Sequence, residues 1–423
     1  MPQRFWIVSE LYYPQETATG YLLTGLAESL AQHLDVHVLC GQPGPSPDGA
    51  PVPRREERRG VSVQRCAATH LNKDVLWQRL VNLATQSLAL FVEAVRRVGR
   101  GDYVLVVTNP PALPFFVSLA CRLRGARCIL LIHDVYPEVM VATGLARRGV
   151  LLTRWLGWLN QRLYRSVVWI AVLGRDMARL AQAKLEPGDG RVVIIPNWAD
   201  LDEVKPVRRD RNALLRELGL TDKFVVQYAG NMGRPNDLES LIESAWLLRD
   251  ENDIHFLFIG SGAKRAWLER AVRENHLANV TILPNRPRSD QQNFINACDV
   301  GVVSLVPGMT GVSVPSRTYN ILAAGKPLVA IVGQDSETAL MVREESVGWV
   351  VPPGQPGRII EAILEARARP ELVAEMGKRA RQAAETKYSL ARAVEAYLAL
   401  VGVSSVAPRE DLAGYGRLIP NEN

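Results

Sequence analysis

The sequence predicts an α/β protein of two doubly wound, Rossmann-like domains, and three observations carry that prediction. Short apolar runs rich in Val, Ile and Leu alternate with longer amphipathic stretches along most of the chain. Most of the runs are near-continuously apolar, which is the pattern of parallel strands covered by helices on both faces. The alternation stops at a charged segment, residues 202–210, and then restarts, and 423 residues suffice for two domains of ordinary size.

In the first series the strand candidates are residues 4–9, 36–40, 61–65, 103–108, 128–132, 167–172 and 192–196. Amphipathic helical stretches lie between most of them, as at 22–34, 114–123 and 176–184. In the second series the candidates are residues 224–228, 255–259, 280–283, 300–305, 328–331 and 349–351. The expected domains are residues 1–200 and 203–385, followed by a last helix over 389–402 after a break near 387–389. Residues 404–423 contain Gly and Pro without periodicity and are read as a poorly ordered tail. Ligands of such folds bind outside the carboxyl ends of the strands, so a cleft between two facing domains is expected.

Composition narrows the function classes. The formal charge is +6, a balance that suits nucleic acid, an anionic membrane surface or a phosphorylated substrate. Arg54, Arg55, Arg58 and Arg59 are interrupted by Glu56 and Glu57 in a Pro-rich stretch read as a loop. Neither zinc-finger spacing nor an RNA-recognition aromatic motif accompanies them, so nucleic acid is set aside. The five cysteines are odd in number and scattered, as expected of reduced thiols in a cytoplasm. Residues 1–9 run straight into an apolar strand without the marks of a signal peptide, and no run reaches the ~18 apolar residues of a spanning helix. Residues 80–92 are uncharged and followed by Arg96, Arg97 and Arg100. That stretch either lies against the inner face of the plasma membrane or packs on the first sheet.

Several segments suit phosphate chemistry. Gly311-Val312-Ser313-Val314-Pro315-Ser316-Arg317 leads into a short helix that Gly325-Lys326-Pro327 ends. Free N–H groups at such a helix start hold phosphate, by roughly 0.3–2 kcal/mol from the dipole, and Arg317 adds a full charge. An ordinary capped helix with a solvated arginine is the competing reading of the same residues. Gly230-Asn231-Met232-Gly233-Arg234 precedes a second helix, where Asp237 also reads as a plain N-cap. Gly260-Ser261-Gly262 opens a third helix, but Lys264 and Arg265 stand where a dinucleotide fingerprint wants another glycine. His133 follows the strand 128–132 at its ligand-binding end, where a packing histidine is the plainer alternative. The loop from Ser9 to Tyr21, containing Thr19 and Gly20, is long enough to be functional or mobile. Asp200-Leu201-Asp202 has a metal-binding form in another fold but reads here as turn and cap chemistry, and no metal site is expected.

Taken in order, Tyr12-Tyr13-Pro14, Thr108-Asn109-Pro110-Pro111, His133-Asp134-Val135-Tyr136-Pro137-Glu138, Ile195-Pro196-Asn197-Trp198-Ala199-Asp200, Gly230-Asn231-Met232-Gly233 and Pro315-Ser316-Arg317 with Leu322-Ala323-Ala324-Gly325-Lys326-Pro327 carry a resemblance. The chain resembles the family 4 retaining glycosyltransferases of GT-B fold over residues 1–402. Within that family it is similar to the bacterial colanic-acid and O-antigen branch, with fucosyl or N-acetylfucosaminyl transferases as a guide to the donor.

The resemblance implies a nucleotide diphosphate sugar held by the second domain and an acceptor, expected to be a lipid-linked saccharide, held by the first. It implies no cofactor and no metal, with the work placed in surface polysaccharide synthesis, such as lipopolysaccharide or capsule, at the membrane. His133 matches the family histidine that reaches the donor sugar. The diphosphate is expected at Arg317, Ser316, Ser313, Val314, Gly233, Arg234 and Asn231. The nucleoside is expected at Asn320, Gly260, Ser261 and Arg286, and the acceptor-side loop at Thr19 and Gly20. Two departures stand out. An Arg and a Lys that clamp the diphosphate in the family are Asn231 and Asn236 here, and two family glutamates fall on Val312 and Asn320. Arg234 and Arg317 are the candidates to restore the missing charge. The rival functions are a sugar-nucleotide 2-epimerase of the same fold and a non-catalytic sugar-nucleotide or lipid-binding partner.

Overall fold

Parallel strands buried on both faces organise each half of the chain. The computed structural model describes residues 3–43, 51–69, 71 and 75–403, so the tail read at 404–423 lies outside the described residues. The chain divides into two compact units: unit 1 holds the chain up to Pro137, Gly149–Pro196 and the segment from Leu390, and unit 2 holds Glu138–Arg148 and Asn197–Ser389.

Unit 1 contains strands β1 (Arg4–Ser9), β2 (Asp35–Gly41), β3 (Arg55–Arg58), β4 (Val61–Cys66), β5 (Tyr103–Val107), β6 (Arg127–Ile132), β7 (Trp169–Val172) and β8 (Val192–Ile194). Their order is β3-β4-β2-β1-β5-β6-β7-β8, parallel except where β3 pairs with β4. In the centre Ile7 lies opposite Val38 on one side and Leu105 on the other, and all three are fully buried. Chain order reverses between β1 and β5, which makes the carboxyl ends of these strands the binding crevice of a doubly wound sheet. The stretch around Arg54–Arg59 is corrected from a loop to an edge strand, because Arg55-Glu56-Glu57-Arg58 has no apolar face to signal it. Part of its charge is matched locally. Arg58 and Arg59 pair with Glu28 at 2.7 and 2.9 Å, and Glu56 accepts from the buried Arg65 at 2.5 Å. The stretch at 80–92 belongs to the helix Leu76–Arg97, which buries Gln86, Ser87, Leu90 and Ala94 and leaves Leu88 exposed. Arg96 and Arg97 both reach Glu93, at 3.4 and 2.6 Å. The helix Leu390–Leu400 packs on the helix Ala18–Leu30, and its Leu400 carbonyl accepts from Trp169 Nε1 at 3.1 Å.

Unit 2 contains β9 (Phe224–Ala229), β10 (Ile254–Ile259), β11 (Val280–Leu283), β12 (Val300–Ser304), β13 (Leu328–Ile331) and β14 (Gly348–Val351). The order is β11-β10-β9-β12-β13-β14, parallel throughout, with the reversal between β9 and β12. Phe256, Phe258, Leu241, Ile359 and Ile363 fill the core beside these strands. The charged segment at 202–210 is seated on this unit: Arg209 Nη1 donates to Asp299, whose other contact is the backbone N–H of Val225 at 2.7 Å. Among the described residues no helix is long and apolar enough to cross a membrane.

Candidate functional site

In unit 2 the crevice is lined by the loop after β9 and the loop after β12, tied together where Val306 N–H donates to Pro235 O at 2.8 Å. The second loop feeds the helix Arg317–Ala323, only seven residues long, and the Ser316 side chain makes no capping bond. Arg317 is the centre of the arrangement. Its guanidinium carbon lies 4.2 Å from the centroid of the Tyr228 ring, a cation–π contact. Its Nη2 donates to Asn231 O at 3.2 Å and to Asn236 Oδ1 at 3.4 Å. The Asn231 carbonyl also accepts from Tyr228 OH at 2.6 Å and Asn236 Nδ2 at 3.0 Å, so three donors fix one loop carbonyl. Asn231 and Asn236 therefore mount Arg317. Arg317 Nη1 is closed to solvent and has no hydrogen-bond partner. A buried charged donor without an acceptor is costly, and such a group calls for an explanation.

The glycines of this edge serve close packing between loops. Gly230 and Gly260 have φ of +140° and +149°, and a Cβ on Gly260 would run into the Gly230 carbonyl oxygen. Gly230 N–H donates to Ile259 O and Met232 N–H to Ser261 O, both at 2.8 Å, so the loops after β9 and β10 are held together through their backbones. Ser313 and Ser316 are part-buried and Val314 is buried on the second loop, while Gly233 is buried and Arg234 exposed on the first. Val312 is buried too.

In unit 1 the ends of β5 and β6 place His133. Thr108 Oγ1 accepts from His133 N–H at 3.1 Å and Asp134 N–H at 3.3 Å, fixing the turn of the chain after β6. Thr19 Oγ1 lies 3.5 Å from His133 Nδ1 at the start of the helix Ala18–Leu30. That helix begins earlier than a loop extending to Tyr21 would allow, because Thr17 caps it by accepting from Gly20 N–H at 3.2 Å. Gly20 is buried so tightly that a Cβ there would sit 2.7 Å from Gln15 O. His133 Nε2 is closed to solvent without a partner, and burial pulls the imidazole pKa down to about 4. The ring is neutral at pH 7.

Residues 17–198 match the model of the glycosyl transferase 4-like domain and residues 210–383 that of the group 1 glycosyl transferases. WbjE of Pseudomonas aeruginosa, named as a glycosyltransferase, is 33% identical over 298 residues, 70% of this chain and 74% of that one. The chain belongs to this glycosyltransferase family. WcaI of Escherichia coli strain K12, named as a colanic acid biosynthesis glycosyl transferase, is 27% identical over 70% of this chain and 76% of its own. Among solved structures, the sucrose-phosphate synthase of Thermosynechococcus elongatus superposes with a TM-score of 0.75 at 17% identity, covering 95% of this chain and all of that one. HepE of Anabaena in complex with UDP and glucose gives 0.72 at 13% identity over 95% of this chain and 100% of its own. The fold is GT-B, with two Rossmann-like domains.

Within this glycosyltransferase the four expected nucleoside residues stand differently. Asn320 is part-buried on the short helix after Arg317, and Gly260 is buried in the packed loop. Ser261 is exposed and accepts from Asn285 Nδ2 at 2.7 Å. Arg286 is engaged by Asp290 and by Glu217, the latter at 3.9 Å. Tyr228 and Thr108, which position Arg317 and His133, were not singled out for a role from sequence. Tyr228 stands directly before Ala229-Gly230, the one local signal that it faces the glycine loop.

Two histidines give the glycosyltransferase a pH signature. Burial also takes His255 down to about 4, assisted by the charge of Lys223, and its Nε2 lies 2.8 Å from Thr281 Oγ1. An unfolded chain binds protons at both sites below its ordinary value of about 6.5, whereas the folded chain resists until about 4. Stability is therefore expected to rise with pH across that window and to fall on acidification. Urea midpoints measured between pH 7 and 4.5 should drop steadily, and H133Q should flatten part of the slope. An unchanged slope in H133Q would show that His133 titrates normally.

Proposed function

We propose that this enzyme moves a sugar from a nucleoside diphosphate sugar to a hydroxyl of a lipid-linked saccharide, with retention at the anomeric carbon and without a metal ion. The supporting observation is the buried, unpartnered Nη1 of Arg317 at the strand-order reversal of unit 2. A diphosphate brings about two negative charges, and a preorganised cation aimed at them stabilises the charge that develops as the sugar leaves. In the reaction the bond from C1 to the phosphate oxygen breaks and the bond from C1 to the acceptor oxygen forms on the same face. The acceptor proton passes to the departing phosphate oxygen, so no side-chain base is required. His133, neutral and with a free ring nitrogen, is read as the contact to a hydroxyl of the transferred sugar. The name of WcaI supports work on a surface polysaccharide, and the HepE complexes support a nucleotide sugar as donor.

A thermal-shift panel of nucleosides, nucleoside diphosphates and their sugars tests the donor half of this reading. A diphosphate at 100 times its Kd stabilises the folded chain by roughly 2.7 kcal/mol, a readily visible shift. Stabilisation by at least one diphosphate, and not by its nucleoside at equal concentration, is expected. A panel in which no diphosphate shifts the transition would sink the reading.

A further inference from the structure

The helix Leu151–Ser166 of unit 1 turns an apolar face outward. Its inner face is Thr153, Asn160, Leu163 and Tyr164, all buried, with Asn160 Nδ2 donating to Tyr136 O at 2.8 Å. The opposite face carries Leu151, Leu152, Trp155 and Trp158 in its first turns and Arg162 and Arg165 further on. Positions 151, 155, 158 and 162 follow one line along a helix. The four apolar side chains are between 46% and 83% exposed. Single exposed leucines are ordinary, but neighbouring Leu and Trp side chains left open on one helix face mark an interaction surface.

Charge selects the partner. The helix contains no Asp or Glu, and Arg154, Arg162 and Arg165 are all exposed. The guanidinium of Arg162 sits 4.3 Å from the Trp158 ring centroid, and Arg165 meets the exposed Glu186 at 2.7 Å, a surface pair of little strength. We propose that this face docks on an anionic lipid surface. Leucines at one end would enter the acyl boundary, the tryptophans would lie at the headgroup level, and the arginines would reach lipid phosphates along their aliphatic stems. A second copy fits poorly, since self-pairing would cover these arginines with apolar side chains or with one another and offers no acid on the helix to match them. The helix Leu76–Arg97 is a weaker candidate because its Arg96 and Arg97 are already held by Glu93. The proposal stands apart from the identity of donor and acceptor, and its failure would leave the transfer reading intact.

Flotation of the full chain with phosphatidylglycerol-containing vesicles, against pure phosphatidylcholine, tests it. The wild type is expected to float with the anionic vesicles and to remain behind with the neutral ones. The double substitution L151E/W155E, at exposed positions, is expected to abolish flotation while leaving the melting temperature unchanged. R162Q is expected to lower binding about fivefold, the electrostatic share of one arginine near such a surface. Wild type that does not float, or flotation untouched by L151E/W155E, would overturn the proposal. So would a wild-type oligomer that L151E/W155E disperses in the absence of any vesicle binding, which would make the face a contact between copies.

Discussion

Arg317→Ala should weaken nucleoside diphosphate binding by roughly 10- to 150-fold, the range of a hydrogen bond to a charged group, and leave nucleoside binding nearly unchanged. The side chain is held on three sides, by the Tyr228 ring, the Asn231 carbonyl and the Asn236 amide oxygen, so little ordering cost remains when a ligand arrives. Its unpartnered Nη1 is desolvated before binding, which raises the worth of a contact it gains. Lysine keeps the charge but loses the planar fork and the stacking, so Arg317→Lys should fall between wild type and alanine. Titration calorimetry with nucleoside, monophosphate and diphosphate on the three proteins reads this out. Equal losses for nucleoside and diphosphate would show that the substitution disturbed the whole unit, and no loss would move the charge to Arg234.

Gly260→Ala should destabilise unit 2 and abolish diphosphate binding together. At φ +149° the backbone alone costs an alanine of order 1–3 kcal/mol. The added Cβ also meets the Gly230 carbonyl oxygen, so the loop carrying Asn231 has to move. Because Asn231 mounts Arg317, the disturbance reaches Arg317 directly. Gly357→Ala is the control, since nothing lies within 4 Å of a Cβ there. Thermal melts of both variants decide the matter. A Gly260→Ala protein as stable as Gly357→Ala would mean that the two loops separate at no cost.

Most strands of both sheets could be read from sequence because they are short runs rich in Val, Ile, Leu and Phe flanked by turn residues, the pattern of strands covered on both faces. β3 could not, since an edge strand of Arg and Glu lacks that pattern. Arg317 was legible as a charge beside a glycine-rich loop. Its mount was not, because Asn231 and Tyr228 lie more than 80 residues away and meet it only through the pairing of β9 with β12. Gly260-Ser261-Gly262 reads as a weak dinucleotide fingerprint at the start of a helix, and the fold puts both glycines to backbone packing between loops. The helix Leu151–Ser166 shows a different limit. A stripe of Leu and Trp reads as a core face, and only the accessible surface reveals that this stripe is turned outward.

Proton NMR of a transfer reaction tests glycosyl transfer most directly. The chain is incubated with a nucleotide sugar that stabilises it in the thermal panel and with a lipid-linked saccharide, and the anomeric signals and the free nucleoside diphosphate are followed together. The expected result is diphosphate release that depends on acceptor, with a product whose anomeric configuration equals that of the donor. Conversion of the donor to its C2 epimer without diphosphate release, or a product of inverted configuration, would contradict it.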